Sequence, residues 1–390
     1  MQILMVSDVY FPRVNGVSTS IQTYCRELRD SGHSVTIVAP DYGASDAANE
    51  FEVIRLPSRK IAFDPEDRLI RRASMTEVIE QLAERHWDVI HIHTPFRAHQ
   101  IGVRLAKKTG RPTVESYHTY FEEYVADYFP WLPRSLGRLA VRWFSRRLCS
   151  EVTHLVVPTE EMSKVLEDYG ISTPGTVIPT GIRLDEFSGG DGSVFRHQHG
   201  IAPDRLVLLT VGRLALEKNI DFLLDVLGRL VKDRPALLFV ISGEGPDAKR
   251  LKKRTEVLGL GDNVYFVGNL DRQNALLDCY RAADVFVFAS RTETQGLVLI
   301  EAMALGVPIV STAVMGTATV LKDVEGARIS SESIEDFAAQ VSDLLARPDE
   351  RERLSAAGPV DAQAWDAGRQ MKRAIALYAT LSAAAAPAKR

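Results

Sequence analysis

Short apolar runs alternate with stretches of helical periodicity along almost the whole chain, and this alternation limits the possible folds more than any single residue does. A parallel strand pair needs a crossover connection, usually a helix, so such alternation reads as βαβ units in parallel sheets. Ile3-Leu-Met-Val reads as a first strand, Ile21 to Arg29 as a helix and Val35-Thr-Ile-Val as a second strand. Val89-Ile-His-Ile-His, Thr113-Val-Glu-Ser-Tyr and Leu155-Val-Val-Pro continue the series. A turn-rich stretch from Phe187 to Pro203 interrupts it. Strands resume at Leu206 to Val211, Leu237 to Ser242, Val264 to Val267 and Val285 to Phe288. A chain of 390 residues is long for one core. Two α/β domains are predicted, with a boundary near residue 184.

Composition excludes several classes. Hydrophobic content of 45% with 25% charged residues is ordinary for a soluble globular protein. A net charge of -4 argues against a generic nucleic-acid binder. Cys25, Cys149 and Cys279 are scattered and odd in number, so neither a zinc spacing nor a disulfide framework is expected, which fits a reducing cytoplasm. The segment Met1-Gln-Ile-Leu-Met-Val-Ser-Asp lacks the pattern of a signal peptide. The most apolar long window, Gly296 to Val314, contains Glu301 and breaks at Gly306 and Pro308, so it reads as helix, turn and strand.

Two glutamates stand eight residues apart, Glu293 and Glu301, just after the apolar run Val285-Phe-Val-Phe. Thr294, Gln295 and Gly296 lead from the first into a helix-like run. A strand-to-helix turn leaves unpaired amides and partial positive charge facing the loop, which suits a diphosphate. Eight helical residues would rise about 12 Å and turn the face by about 80°. One carboxylate can then serve a group at the helix mouth and the other a group beyond the phosphates, the layout of a sugar nucleotide. Arg213 and Lys218 follow another strand, Leu208-Leu-Thr-Val-Gly212, and a guanidinium with an ammonium suits an anionic diphosphate. Asn15 and Gly16 follow the first strand and precede a helix; glycine there can take positive φ and admit a phosphate, and asparagine tolerates the same geometry. His118 closes a further strand, a position where open α/β sheets bind ligands. His91 and His93 alternate along a strand without an evident third metal ligand, so packing or site lining is expected of them.

With these segments in view, the chain resembles GT-B-fold retaining glycosyltransferases of family 4. Val211-Gly-Arg-Leu-Ala-Leu-Glu-Lys-Asn is similar to the family's Gly-Arg…Lys segment, and Glu293 and Glu301 to its Glu-x7-Glu motif. Thr294-Gln-Gly-Leu and Glu301-Ala-Met-Ala-Leu-Gly-Val-Pro-Ile-Val are similar to the residues around that motif, and the resemblance covers nearly the whole chain. It implies an α/β fold of two Rossmann-like domains with parallel sheets facing a central cleft. Residues 184–365 would hold the nucleotide sugar. Residues 1–183 would form the acceptor-side domain, rejoined by a crossover helix at about 366–390. The resemblance implies that Arg213 and Lys218 clamp the donor diphosphate. Glu293 and the segment Thr294, Gln295, Gly296 and Leu297 would hold the hexose, and Glu301 the ribose. His118 would sit beside the transferred hexose and help stabilise the reacting centre. Where the family often has two glycines, this chain has Asn15-Gly16. The Asp-x-Asp signature of metal-dependent glycosyltransferases is absent, so transfer without a metal or other cofactor is expected.

Trp131 to Leu148 is basic and amphipathic. Arg134, Arg138, Arg142 and Arg146 recur every fourth residue as one drifting stripe, with Leu132, Leu136, Leu139, Trp143 and Phe144 on other sides. Arginine beside tryptophan and leucine is the profile of a helix lying on anionic lipid, and equally of a domain helix with a solvated basic face. His118-Thr-Tyr-Phe-Glu-Glu-Tyr followed by this helix is similar to the diacylglycerol glucosyltransferase branch of the family. That resemblance implies a cytoplasmic enzyme on the inner face of the membrane, moving glucose from UDP-glucose to diacylglycerol, with Tyr120 and the arginine stripe toward acceptor and membrane. UDP-glucuronate, UDP-galactose and GDP-mannose, a soluble or polyprenyl-linked acceptor, and a GT-B-fold epimerase are the alternatives.

Overall fold

The computed structural model describes residues 1–43, 50–60, 67–118, 122 and 133–385. They form two compact units, one of residues 1–181 with 367–390, the other Ile182–Asp366.

In the first unit, seven strands make one parallel sheet in the order β3-β2-β1-β6-β7-β8-β9. These are β1 (Gln2–Val6), β2 (Ser34–Pro40), β3 (Glu52–Leu56), β6 (Val89–Ile92), β7 (Thr113–Ser116), β8 (His154–Val157) and β9 (Gly175–Val177). A small antiparallel pair, β4 (Ser58–Lys60) and β5 (Arg68–Ile70), stands apart. Ile3 and Met5 of β1, Val89 of β6 and Val114 of β7 share a core with Ile21, Tyr24 and Leu28 of the Gly16–Asp30 helix. Met371, Ala374 and Tyr378 of the final helix, Ala367–Ala385, complete that core.

The second unit carries six parallel strands in the order β12-β11-β10-β13-β14-β15. They are β10 (Val207–Val211), β11 (Leu238–Ser242), β12 (Val264–Gly268), β13 (Val285–Phe288), β14 (Ile309–Ser311) and β15 (Ala327–Ile329). Every residue of β10, β11 and β13 is buried, as a sheet with both faces covered requires. The period of two is visible in β13: Phe286 and Phe288 enter one core, Val285 and Val287 the other. The turn-rich stretch 187–203 contains a short helix, Gly192–Gln198. Asp191 caps it, and Phe195 is buried beneath it. One buried aromatic on a capped turn is enough to fix a helix that turn-rich composition conceals.

In both sheets the strand order reverses beside a central strand, between β1 and β6 and between β10 and β13. Loops at the carboxyl ends diverge there and leave room for a ligand. Among the described residues no helix is long and apolar enough to cross a membrane. Cys25, Cys149 and Cys279 are free and buried.

Candidate active site

The loop after β10 begins at Gly212 (φ 154°) and passes Arg213 into a 3-10 turn, Leu216–Lys218. Asn219, in left-handed geometry (φ 55°), turns the chain into the Ile220–Leu230 helix, and its amide donates to the Ala289 carbonyl at 3.2 Å and to Glu332 at 3.2 Å. The Arg291 amide donates to the Glu217 carbonyl at 3.3 Å, and the Ser290 hydroxyl to the same oxygen at 3.2 Å. These bonds stitch the loop after β10 to the loop after β13. As a result the Lys218 ammonium forms an ion pair with Glu293. Both side chains are about four-fifths buried, at 21% and 18% exposure. Arg213 is half-buried on the same loop.

Glu293 is not helical, which corrects the expectation of eight helical residues between the glutamates. Gly296 takes φ 90°, and the helix begins only at Leu297 and runs to Ala304. A left-handed glycine cannot continue a right-handed helix, so Glu293 to Gln295 form a separate loop. Backbone contact holds that loop: the Gly316 amide donates to the Glu293 carbonyl at 2.8 Å, and a Cβ on Gly316 would overlap the Thr294 carbonyl. No side chain caps the Leu297–Ala304 helix, so its first amides and its partial positive charge face the loop.

Glu301 lies within that helix, almost wholly buried. The Tyr280 hydroxyl donates to its Oε2 at 2.9 Å, and Arg272 forms an ion pair with Oε1. Burial alone would pull the Arg272 guanidinium down, but the Glu301 carboxylate holds it above the ordinary arginine value. Burial first, and then the Glu301 charge, push the Tyr280 phenol well up, so it stays a neutral donor. Arg272 and Tyr280 carry no sequence spacing that singles them out. The signal available was the loop after β12, where a nucleotide base would be sought; Arg272 stands there with Asn269, whose amide reaches Glu244 at 3.3 Å.

In the first unit, Gly16 does not take positive φ; it is the first residue of the helix, and Asn15 is its extended cap (φ -157°). The Asn15 side chain accepts from the Ser18 amide at 2.9 Å, and the Ser18 hydroxyl accepts from the Asn15 amide at 2.9 Å. This reciprocal cap explains Asn15 without left-handed geometry. A Cβ on Gly16 would meet nothing within 4 Å, so the space above the helix start is open.

His118 follows β7, and its Nε2 lies 3.2 Å from Nδ1 of His93, with the two rings stacked at 5.5 Å. His91 is packed against His93, ring centres 4.0 Å apart. The other contacts of His91 are the Ser116 hydroxyl at 2.8 Å and the Tyr378 hydroxyl at 2.6 Å. Burial lowers His118 to about 4 and His91 to about 3, and holds His93 well below the ordinary histidine value. All three are neutral at pH 7. His91 and His93 are buried, and among the described residues no group of three or more His, Cys, Asp or Glu is placed to hold a metal.

The basic segment forms the Arg134–Ser150 helix. Arg142 donates to Glu122 at 3.2 Å, Arg138 lies 3.7 Å from the same carboxylate, and Arg146 donates to the Tyr169 carbonyl. The side chains presented to solvent include Leu136, Leu139 and Trp143, at 55%, 65% and 63% exposure, together with Arg138, Arg146 and Arg147. The arginine stripe stays largely solvated, with Arg138 and Arg146 exposed and Arg142 half-buried, while Glu122 and Tyr169 tether it to the rest of the unit. Tyr120, Trp131 and Leu132 lie outside the described residues, as does the side chain of Arg134.

Residues 193–361 match the family profile described as "Glycosyl transferases group 1", and residues 14–186 that described as "Glycosyltransferase Family 4". An alpha-monoglucosyldiacylglycerol synthase from Streptococcus pneumoniae is 31% identical over 316 residues, spanning 80% of this chain and 71% of the relative. One from Acholeplasma laidlawii is 29% identical over 319 residues, spanning 80% of each chain. Among solved structures, a sucrose-phosphate synthase from Thermosynechococcus elongatus matches with a TM-score of 0.82 at 21% identity, covering 98% of this chain and 100% of that one. At that identity the match speaks for the fold, GT-B.

Proposed function

This chain belongs to glycosyltransferase family 4, and from that premise we propose that it moves a hexose, with glucose favoured, from a nucleotide diphosphate to a lipid hydroxyl, with diacylglycerol favoured. The observation that carries the donor half is the Lys218–Glu293 pair beside an uncapped helix start. It puts a cation, a carboxylate and the start of a helix with no side-chain cap within one small region, which are the groups a diphosphate joined to a sugar requires. Arg213, Lys218 and the helix start stabilise the departing diphosphate, Glu293 with Thr294, Gln295, Gly296 and Leu297 holds hexose hydroxyls, and Glu301 holds the ribose. In the first unit, the Asn15–Gly16 turn is assigned to the donor and His118 to the hexose.

With two cations on the leaving group, no divalent ion is needed and the reaction rests on positioning and electrostatic stabilisation. The acceptor hydroxyl attacks the anomeric carbon on the face the diphosphate leaves, and the leaving phosphate takes the hydroxyl proton. The α-anomer is retained.

The acceptor half is supported by the two synthases that act, by name, on glucosyldiacylglycerol formation. It is supported too by the exposed Leu136, Leu139 and Trp143 beside Arg147, which lies over the Trp143 ring at 5.9 Å. Such a face suits a peripheral contact with an anionic membrane surface. Turnover of UDP-glucose with diacylglycerol vesicles, with soluble sugars and with no acceptor, each with and without a chelator, tests the reading. Lipid-dependent, chelator-resistant formation of an α-glucoside is expected. Transfer to a soluble sugar, or an epimerised nucleotide sugar without acceptor, would replace it. Leu139→Ser with Trp143→Ser should weaken vesicle binding by about 3 kcal/mol if both side chains insert.

A further inference from the structure

The surroundings of His93 determine which of its two nitrogens carries the proton. Its Nε2 lies 3.1 Å from the Met5 thioether sulfur, and its Nδ1 lies 3.2 Å from Nε2 of His118. Both rings are neutral, held so by burial, and each therefore has one N–H and one lone pair. A thioether sulfur accepts weakly and never donates. A bare Nε2 on His93 would press lone pair against lone pair. The His93 proton thus sits on Nε2, aimed at Met5, and Nδ1 is the acceptor. The proton between the two rings then belongs to Nε2 of His118, and the lone pair of His118 is on Nδ1.

The packing leaves His93 little freedom to do otherwise. His91 lies against one side of its ring, and the Tyr24 ring meets both histidines edge-on, at 5.5 Å and 5.9 Å. His91 does not compete for the His93 nitrogens, since Ser116 and Tyr378 satisfy both of its own.

We infer that His93 is a positioning residue for His118: through the Met5–His93–His118 chain it fixes His118 in the Nε2–H tautomer and locks the orientation of its ring. The inference rests on the proposed place of His118 beside the transferred hexose. His93 acts only through His118. It brings no charge to the reacting centre, and it leaves Nδ1 as the accepting atom of His118.

Nitrogen NMR of histidine-labelled protein reads the tautomer directly, before any turnover. The wild type should show His118 protonated on Nε2. His93→Leu removes the acceptor and should mix the two tautomers, with kcat falling about tenfold and the donor KM nearly unchanged. His93→Asn, whose side-chain oxygen lies near the place of Nδ1, should restore both. Should His93→Leu fold poorly, Met5→Leu keeps the volume and removes only the sulfur, and it should mix the tautomers too. Wild-type His118 protonated on Nδ1, or a tautomer indifferent to both substitutions, overturns the inference. A tautomer that shifts as expected while kcat stays constant upholds the His93 chain and removes His118 from the transfer reaction instead.

Discussion

At the carboxyl edge of the second sheet, polar side chains meet as ion pairs, Lys218 with Glu293 and Arg272 with Glu301. At the same edge of the first sheet they meet as neutral rings and hydroxyls, Tyr378, His91, Ser116, His93 and His118. Both edges lie where a parallel sheet reverses its strand order. The architecture therefore offers a place for chemistry without dictating its charge. In the second unit each carboxylate holds a cation in place. In the first, desolvation strips the histidines of charge, so they act through hydrogen-bond direction and shape. Salt and nucleotide should perturb the second edge, and pH the first.

Arg213→Ala or Lys218→Ala offers the sharpest contrast. Either should lower turnover by about 10²- to 10³-fold, the cost of one lost donor to a developing anion, with the fold intact by circular dichroism. Near-normal turnover in a folded variant would remove that residue from the charged edge.

The glutamates come next. Glu301→Gln should weaken binding of the free nucleoside diphosphate by about 1.5–3 kcal/mol, and it also leaves buried Arg272 without its counter-charge. Glu293→Gln should spare that binding and impair transfer. Calorimetry with UDP separates the two; equal affinities would mean the pair is misassigned.

Acid should distinguish the units without any substitution. His118 and His91 are depressed to about 4 and about 3, so the unfolded chain, titrating near 6.5, binds more protons below that pH. Stability conferred by their neutrality is present above pH 6.5 and lost as pH falls toward 4. Asp8, raised to about 6 by burial, and Glu115, also raised by burial, oppose this, because their folded forms keep a proton that the unfolded chain gives up. His33, His93 and His154 are depressed as well and only His99 is raised, so the histidines outweigh the two carboxyls and a net loss of stability between pH 7 and pH 5 is expected. Hydrogen exchange should show it in β6 and β7 and not in β10 and β13. Equal loss in both sheets would break the comparison.

Tyr378→Phe is the mildest test. It deletes the hydroxyl that pairs with His91 and should cost about 1 kcal/mol in a denaturant melt. No change would mean the hydroxyl adds nothing to the neutral cluster.

The sheet strands were largely legible because their signal is local: Val285 to Phe288 is apolar on both faces and reads as a buried strand from sequence alone. The glutamate spacing was legible as a motif but misread as geometry, since nothing in Thr294-Gln295-Gly296 announces that Gly296 turns left-handed and delays the helix to Leu297. Arg272 and Tyr280 were invisible because their relation to Glu301 exists only after β12 and two helices have been packed. The arginine stripe showed the limit of periodicity. It marks a face on which Arg138 and Arg146 are indeed exposed, but it gave no sign of the distant partners, Glu122 and Tyr169, that hold it.

The Ala367–Ala385 helix has a consequence for how the protein is made. Its Met371, Ala374 and Tyr378 belong to the core of the unit whose other residues end at Gly181. Ribosomes usually release domains in the order they encode them. Here Ile182–Asp366 emerges as a full set while the earlier unit still awaits its last helix. The apolar face around Ile21, Tyr24 and Leu28 stays uncovered through the whole of that interval, the part of biosynthesis when it most needs shielding from other nascent chains. A stop codon just before Ala367 would therefore cripple the half of the protein translated first and spare the half translated second.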